Sequence, residues 1–194
     1  SRPFWPGQFQ KEVILKSINQ ESLIKSNLLK KDNIRLRQIL SLQQSSNNDN
    51  ISAAVISRKT GGWWRQIILN KGSKDGVEIG STVIGPGGLL GRVKNTSLFT
   101  SSVTLLTSPE SKLGVWVDRS QTNGLLVGSG DDYPSLILYS KDADIKVGDY
   151  VSSSPASSLL PPNIPIGIVH SIDKTLQSKK TAKISLLAKP NVID

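Results

Sequence analysis

Residues 77–93 read VEIGSTVIGPGGLLGRV, with apolar runs on either side of a glycine-rich turn. Short runs rich in Val, Ile and Leu that are separated by glycines are typical of β-strands joined by tight reversals. A phosphate-binding loop is not predicted, because the glycine run lacks a Gly-Lys-Ser/Thr ending and leads into a strand instead of a helix. The stretch therefore predicts a β-hairpin.

The same pattern returns in the second half of the chain. Residues 145–151, IKVGDYV, are similar to residues 77–83, VEIGSTV. Residues 165–169, PIGIV, are then similar to residues 88–93, GLLGRV, and both halves continue into a further apolar run. An internal repeat of this kind predicts two related β-units.

Short apolar runs fill the chain from residue 51 onward, and no helical period lies between them. This spacing favours antiparallel sheets or small barrels over βαβ units. We assign about six strands to each of two small β-barrels, which makes the fold mainly β. The predicted strands are Ala53–Ser57, Gln66–Leu69, Thr82–Ile84, Leu89–Val93, Val103–Leu106, Gly114–Val117, Gly124–Val127, Leu136–Tyr139, Tyr150–Ser152, Gly167–Ile172 and Ala182–Leu187.

The N-terminal part has a different character. Residues 8–44 contain no Gly or Pro and are rich in Lys, Leu, Gln, Ile and Asn, which predicts one long helix. A seven-residue repeat, apolar only in its second half, predicts coiled-coil-like self-association through Leu29, Asn33, Leu36 and Leu40. The alternative is an amphipathic helix that packs on its own barrel.

These changes in composition set the predicted domain boundaries. The N-terminal helix or coiled coil occupies residues 1–44, and the polar residues 45–50 form a linker. The first β-barrel domain is predicted to be discontinuous, with residues 51–72 and 133–194. The second β-barrel domain, residues 73–132, is predicted to be inserted into the first.

Composition excludes several kinds of site. The 194 residues include no Cys and one His, which excludes disulfides, thiolate nucleophiles and Cys- or His-rich metal sites. No cofactor or metal ion is predicted. Lys and Arg number 24 against 15 Asp and Glu, and the resulting net charge of +9 would attract a polyanion.

The catalytic motifs are weak, and no enzyme activity is predicted. A Ser/His/Asp triad would require His170, which we expect at an edge or half-buried strand position instead of acting as a general base. Ser22–Lys25 and Ser171–Lys174 match Ser-x-x-Lys, and Lys59–Gly61 matches the Lys-Thr-Gly of penicillin-recognising acyl transferases. Those enzymes place the nucleophile on a buried helix of a much larger domain, so we interpret the match as accidental.

Nucleic-acid binding is not expected either. Small barrels that bind single strands stack bases on aromatic side chains in a basic groove. Only 5% of this chain is aromatic, its basic residues are dispersed, and the adjacent Trp63 and Trp64 would point to opposite faces of a strand.

Several longer motifs follow one another in a specific order. Residues 54–58, AVISR, precede Trp63 and Trp64, and residues 68–77 read ILNKGSKDGV. Residues 100–107, TSSVTLLT, and 148–151, GDYV, follow. In this order, the motifs from residue 53 to about 187 resemble the bacterial rod-shape-determining MreC family. The motif positions are Trp63, Trp64, Asn70, Lys71, Gly72, Asp75, Gly76, Gly80, Gly91, Gly148, Asp149 and Gly167.

The resemblance implies a non-enzymatic scaffold of the bacterial cell-elongation complex. Members of the family self-associate and bind a class B penicillin-binding transpeptidase and other membrane proteins of that complex, thereby regulating peptidoglycan synthesis. They are bitopic inner-membrane proteins, so we expect this chain to be the periplasmic part, preceded by a transmembrane helix. The alternative is a basic β-barrel module that binds an anionic polymer, either nucleic acid or an acidic glycan.

Overall fold

The computed structural model describes residues 19–33, 36, 50–59, 65–173 and 179–190. These residues contain eleven β-strands, which confirms the eleven strands predicted from the sequence. A short 3-10 helix, Ser73–Asp75, lies between the second and third strands. The strands are β1 (Val55–Lys59), β2 (Gln66–Leu69), β3 (Thr82–Gly85), β4 (Gly88–Thr96), β5 (Ser101–Leu105), β6 (Lys112–Val117), β7 (Thr122–Val127), β8 (Ser135–Leu138), β9 (Tyr150–Ser153), β10 (Pro165–Asp173) and β11 (Thr181–Leu186).

The strands form two units that follow one another along the chain. The first five make an antiparallel sheet in the order β1-β2-β5-β4-β3, and the last six close into a barrel in the order β10-β11-β8-β7-β6-β9. In β5 and β8, buried and partly exposed residues alternate, because successive side chains of a strand point to opposite faces.

One closed six-stranded barrel and an N-terminal helix are therefore confirmed, but the second six-stranded barrel is not. Its strands form a five-stranded sheet, and β3 directs Ile84 against the core of the barrel instead of pairing with β1. The strand pairing does not follow the predicted nesting either, since residues 55–105 form the sheet and residues 112–186 the barrel. Consecutive strands joined by short turns pair with each other more readily than strands that are distant in the chain.

The predicted internal repeat is visible in the strand pairing. In the sheet, the N–H of Gly80 donates to the carbonyl of Val93 at 2.8 Å. In the barrel, the N–H of Gly148 donates to the carbonyl of Val169 at 2.9 Å. The strands β3-β4-β5 and β9-β10-β11 are thus two copies of one antiparallel meander.

The two units pack against each other through the β3–β4 hairpin. A Cβ atom at Gly88 would lie 2.1 Å from the carbonyl oxygen of Pro165, and one at Gly87 would lie 2.5 Å from that of Leu187. Only glycine permits such a close approach of two backbones. The next residue, Leu89, is fully buried within the core of the barrel although it belongs to a strand of the sheet.

Of the predicted N-terminal helix, residues 19–33 and 36 are described and are helical. All of these side chains are exposed, so this part of the helix does not bury an apolar face against the barrel. Within the described part of the chain, no helix is long and apolar enough to cross a membrane. Leu40, Trp63, Trp64 and the linker before Asn50 lie outside the described residues.

We predict that Leu89→Ala destabilises both units, because it removes a side chain from the core that joins them. Truncation of a fully buried leucine to alanine lowers the free energy of unfolding by about 2–5 kcal/mol. Urea denaturation measures this loss. The control is Leu159→Ala, because Leu159 is 50% exposed, and its free energy of unfolding should change by less than about 0.5 kcal/mol. Equal effects of the two substitutions would contradict a shared core.

Candidate interaction surfaces

The motif Asn70–Gly76 forms a turn that ties β2 to the chain entering β1. The side-chain oxygen of Asn70 accepts a hydrogen bond from the N–H of Ala54 at 2.8 Å, and the N–H of Asn70 donates to the carbonyl of Ala54 at 3.0 Å. The carboxylate of Asp75 accepts from the N–H of Gly72 at 3.0 Å and lies 3.8 Å from the ammonium group of Lys71. The side chains of Asn70 and Asp75 thus hold the backbone of this region in place.

Gly72 allows this turn to support the β4–β5 turn. A Cβ atom at Gly72 would lie 2.3 Å from the carbonyl oxygen of Ser97, so a larger residue would push the two turns apart. The N–H groups of Ser73 and Lys74 donate to the carbonyls of Ser97 and Leu98, at 2.8 and 3.1 Å. The motif that the sequence identifies is therefore the base on which a neighbouring turn rests.

That neighbouring turn exposes two large apolar side chains, Leu98 and Phe99, which we call the apolar tip. Their exposed fractions are 63% and 61%. Two hydrogen bonds close the turn. The N–H of Ser97 donates to the carbonyl of Thr100 at 2.8 Å, and the N–H of Thr100 donates to the hydroxyl of Ser97 at 3.1 Å. The ammonium group of Lys74 lies 5.4 Å from the centre of the Phe99 ring, within the range of a cation–π contact.

The second motif, Gly148-Asp149, anchors the loop before β9. Gly148 has φ of +91°, a conformation that favours glycine, and the buried carboxylate of Asp149 follows it. Both oxygens of Asp149 accept from the Arg119 guanidinium, at 2.8 and 2.9 Å, and one also accepts from the N–H of Lys146 at 2.8 Å. Arg119 additionally pairs with Asp144, so one guanidinium joins the β6–β7 turn to the loop before β9.

These contacts set the ionisation of Asp149. Burial alone would raise the pKa of Asp149, but the hydrogen bonds from Arg119 and from the N–H of Lys146 outweigh it and hold the pKa below its ordinary value. The pKa of Asp144 is also lowered, first by its hydrogen bond with Arg119. Both carboxylates are therefore charged at neutral pH and serve to hold the barrel together.

The remaining motif glycines also lie in turns or where two strands approach closely. Gly76 ends the 3-10 helix, and Gly80 lies in the turn before β3. Gly91 and Gly167 lie on β4 and β10, where each faces the backbone of the neighbouring strand. The described motif positions thus form turns and close strand contacts, and they do not converge on one reactive centre.

Two of the predicted pairing residues, Leu29 and Asn33, lie beside a cavity of about 700 Å³ between the helix and the barrel. Leu29 and Asn33 line it from the helix, and Asp149 and Tyr150 line it from the barrel. Leu36 lies further along the helix and is 58% exposed. The side chains of this helix face are therefore accessible instead of being packed on the barrel.

Sequence reasoning missed Arg119 and the apolar tip. For the tip a signal exists, because Leu98 and Phe99 interrupt the polar stretch 95–102, NTSLFTSS, where a turn is expected. His170 is exposed on β10 instead of at the predicted edge or half-buried position, and its ring stacks on Tyr133 with 4.7 Å between the ring centres.

Comparison with known proteins identifies the family. The family model of the rod shape-determining protein MreC, barrel core, matches residues 55–194. This chain belongs to the MreC family. The Escherichia coli cell shape-determining protein MreC is 28% identical over 179 residues, which cover 89% of this chain and 49% of that protein. The chain thus spans about half the length of the curated MreC relatives it matches.

Solved MreC structures share the fold. The structure of MreC from Listeria monocytogenes has a TM-score of 0.65 at 28% identity and covers 95% of this chain and 90% of that one. A complex between penicillin-binding protein PBP2 and MreC from Helicobacter pylori has a TM-score of 0.57 at 16% identity. The match covers 72% of this chain and 88% of that one. The second match shows a similar fold alone.

We predict that Asp149→Asn lowers stability at neutral pH and removes part of its acid dependence. Because the folded-state pKa of Asp149 is lowered, its contribution is present above the unfolded pKa of about 3.9 and is lost as pH falls through the folded pKa. Loss of the charged hydrogen bonds costs about 2 kcal/mol at pH 7. Urea denaturation at pH 7, 5 and 3 measures this, with the exposed Asp142→Asn as the control. An unchanged pH profile would contradict the assignment.

Proposed function

We propose that this chain is part of a non-enzymatic scaffold of the bacterial cell-elongation complex. The scaffold self-associates and binds peptidoglycan synthases, and a class B penicillin-binding transpeptidase is its principal partner. The chain lies in the periplasm, and a transmembrane helix that precedes it in the whole protein anchors it to the inner membrane. Other membrane proteins of the complex bind the same scaffold.

Membership of the MreC family carries this proposal. Its curated relatives are named cell shape-determining proteins, and one solved MreC structure is described as that of the major periplasmic domain. The Helicobacter pylori relative has been solved with PBP2, which supports a penicillin-binding partner for this chain as well. The motif positions support a scaffold too, because Asn70, Asp75 and Asp149 hold turns together through hydrogen bonds.

The partner is tested with the whole protein that contains this chain and the purified class B transpeptidase of the same organism. We expect a saturable complex in interferometry at 0.15 M salt, with micromolar or tighter affinity. The proposed alternative, an anionic-polymer module, has the net charge of +9 in its favour. It predicts the opposite result, which is strongly salt-dependent binding to a polyanion and none to the transpeptidase.

Self-association through Leu29, Asn33, Leu36 and Leu40 is the second part of the proposal. The accessibility of Leu29 and Leu36, at 61% and 58% exposed, supports it, because paired helices would remove this apolar surface from water. Asn33 would set the register of the two helices, since a polar residue at an inner position favours a facing Asn.

We predict that Leu36→Asp weakens self-association at least about tenfold, because pairing would bury its charge. Sedimentation equilibrium of the whole protein measures the dissociation constant, and the urea midpoint of the β-units should stay unchanged. Leu23→Asp is the matched control, since Leu23 is 63% exposed on the same helix and lies outside the predicted repeat. If Leu36→Asp and Leu23→Asp had equal dissociation constants, the predicted pairing through Leu36 would be contradicted.

A further inference from the structure

The apolar tip is unusual because it is both exposed and held in place. Leu98 and Phe99 keep 63% and 61% of their surface accessible, whereas most large apolar side chains of the sheet are buried. Adjacent exposed apolar residues of this size commonly mark an interaction site.

Hydrogen bonds also support the backbone of the tip. Two backbone hydrogen bonds from the 3-10 helix support it, from Ser73 at 2.8 Å and from Lys74 at 3.1 Å. The hydroxyl groups of Ser97 and Thr100 lie 2.7 Å apart and close the turn between them. A turn whose backbone is already ordered has less conformational freedom to lose on binding, so more of the contact energy appears as affinity.

The charge around the tip indicates what kind of surface it fits. Lys71 is neutralised by Asp75, and Lys74 places a positive charge directly beside the Phe99 ring. A complementary surface has an apolar pocket for the ring and an acidic side chain at its rim. A second copy of the tip fits less well, because the Lys74 beside each Phe99 ring would meet a like charge. A membrane fits less well too, because two apolar side chains and one cation give only weak attachment.

We propose that the apolar tip is an anchor that inserts into an acidic-rimmed apolar pocket of a partner protein, with Lys74 facing the acid. This inference rests on the proposed function, in which the partner is the class B penicillin-binding transpeptidase. The tip would be the central contact of the sheet unit, with Phe99 filling the pocket and Leu98 covering its edge. Aromatic side chains are enriched at such contacts.

The test uses the whole protein, its Phe99→Ala variant, and the purified transpeptidase. We expect Phe99→Ala to weaken binding at least about tenfold, as truncation of a central anchor does. Lys74→Glu should weaken binding too, and Lys74→Arg should retain it, because arginine keeps both the charge and the ring contact. Tyr139→Ala is the matched control, since Tyr139 is an aromatic residue of the barrel that is 70% exposed.

Each result decides the proposal. Equal binding by wild type and Phe99→Ala would overturn the assignment of the apolar tip as an anchor, but it would leave the proposed scaffold function standing. A loss of binding confined to Tyr139→Ala would have the same meaning. Absence of binding by the wild type would overturn the proposed function and the tip with it. A Phe99→Ala effect only on self-association in sedimentation, or only on binding to vesicles of anionic phospholipid, would overturn the protein-pocket assignment. Unchanged urea midpoints exclude misfolding as the cause, because Phe99 is exposed.

Discussion

The approach of the Gly87-Gly88 turn to the barrel is the contact on which the two-unit structure depends. Cβ atoms at these positions would lie 2.5 and 2.1 Å from backbone oxygens of the barrel, so the turn can dock only without side chains. Docking then places Leu89 in the barrel core. The sheet needs this support, because its own core consists of a small cluster around Ile67 and Val103, and a small core stabilises a unit only marginally.

The same local sequence pattern produces two different results in the two units. The N–H of Leu106 donates to the carbonyl of Leu90, and the N–H of Leu187 donates to the carbonyl of Ile166 in the equivalent place, so the two meanders match in detail. The second meander joins three further strands and closes, whereas the first joins two and stays open. The strands were predictable because they depend on neighbouring residues. One closed barrel was predicted correctly, but the open form of the other unit and the strand order were not, because they depend on partners that are distant in the chain.

The same distinction explains which site residues were found. Asn70, Gly72 and Asp75 were predicted as motif positions because the resemblance to the MreC family rests on a continuous local stretch of sequence, residues 68–77. Arg119 was missed, because its role depends on Asp149, which is 30 residues away in the chain and adjacent only after the barrel has closed. Phe99 was missed for the opposite reason. Its local sequence is visible, but its exposure depends on the turn that Gly72 brings beneath it.

The proposed scaffold role would require binding surfaces that keep a fixed relation to one another, and the junction between the two units fits this requirement. Lys94 pairs with Glu110 at 2.7 Å and Arg65 pairs with Asp132 at 2.6 Å, but such partly exposed ion pairs contribute little to stability. The shared packing of Leu89 is stronger, because burying a leucine contributes about 2 kcal/mol. A partner held at the apolar tip would therefore have a defined position relative to the barrel, since the core that stabilises the sheet also orients it.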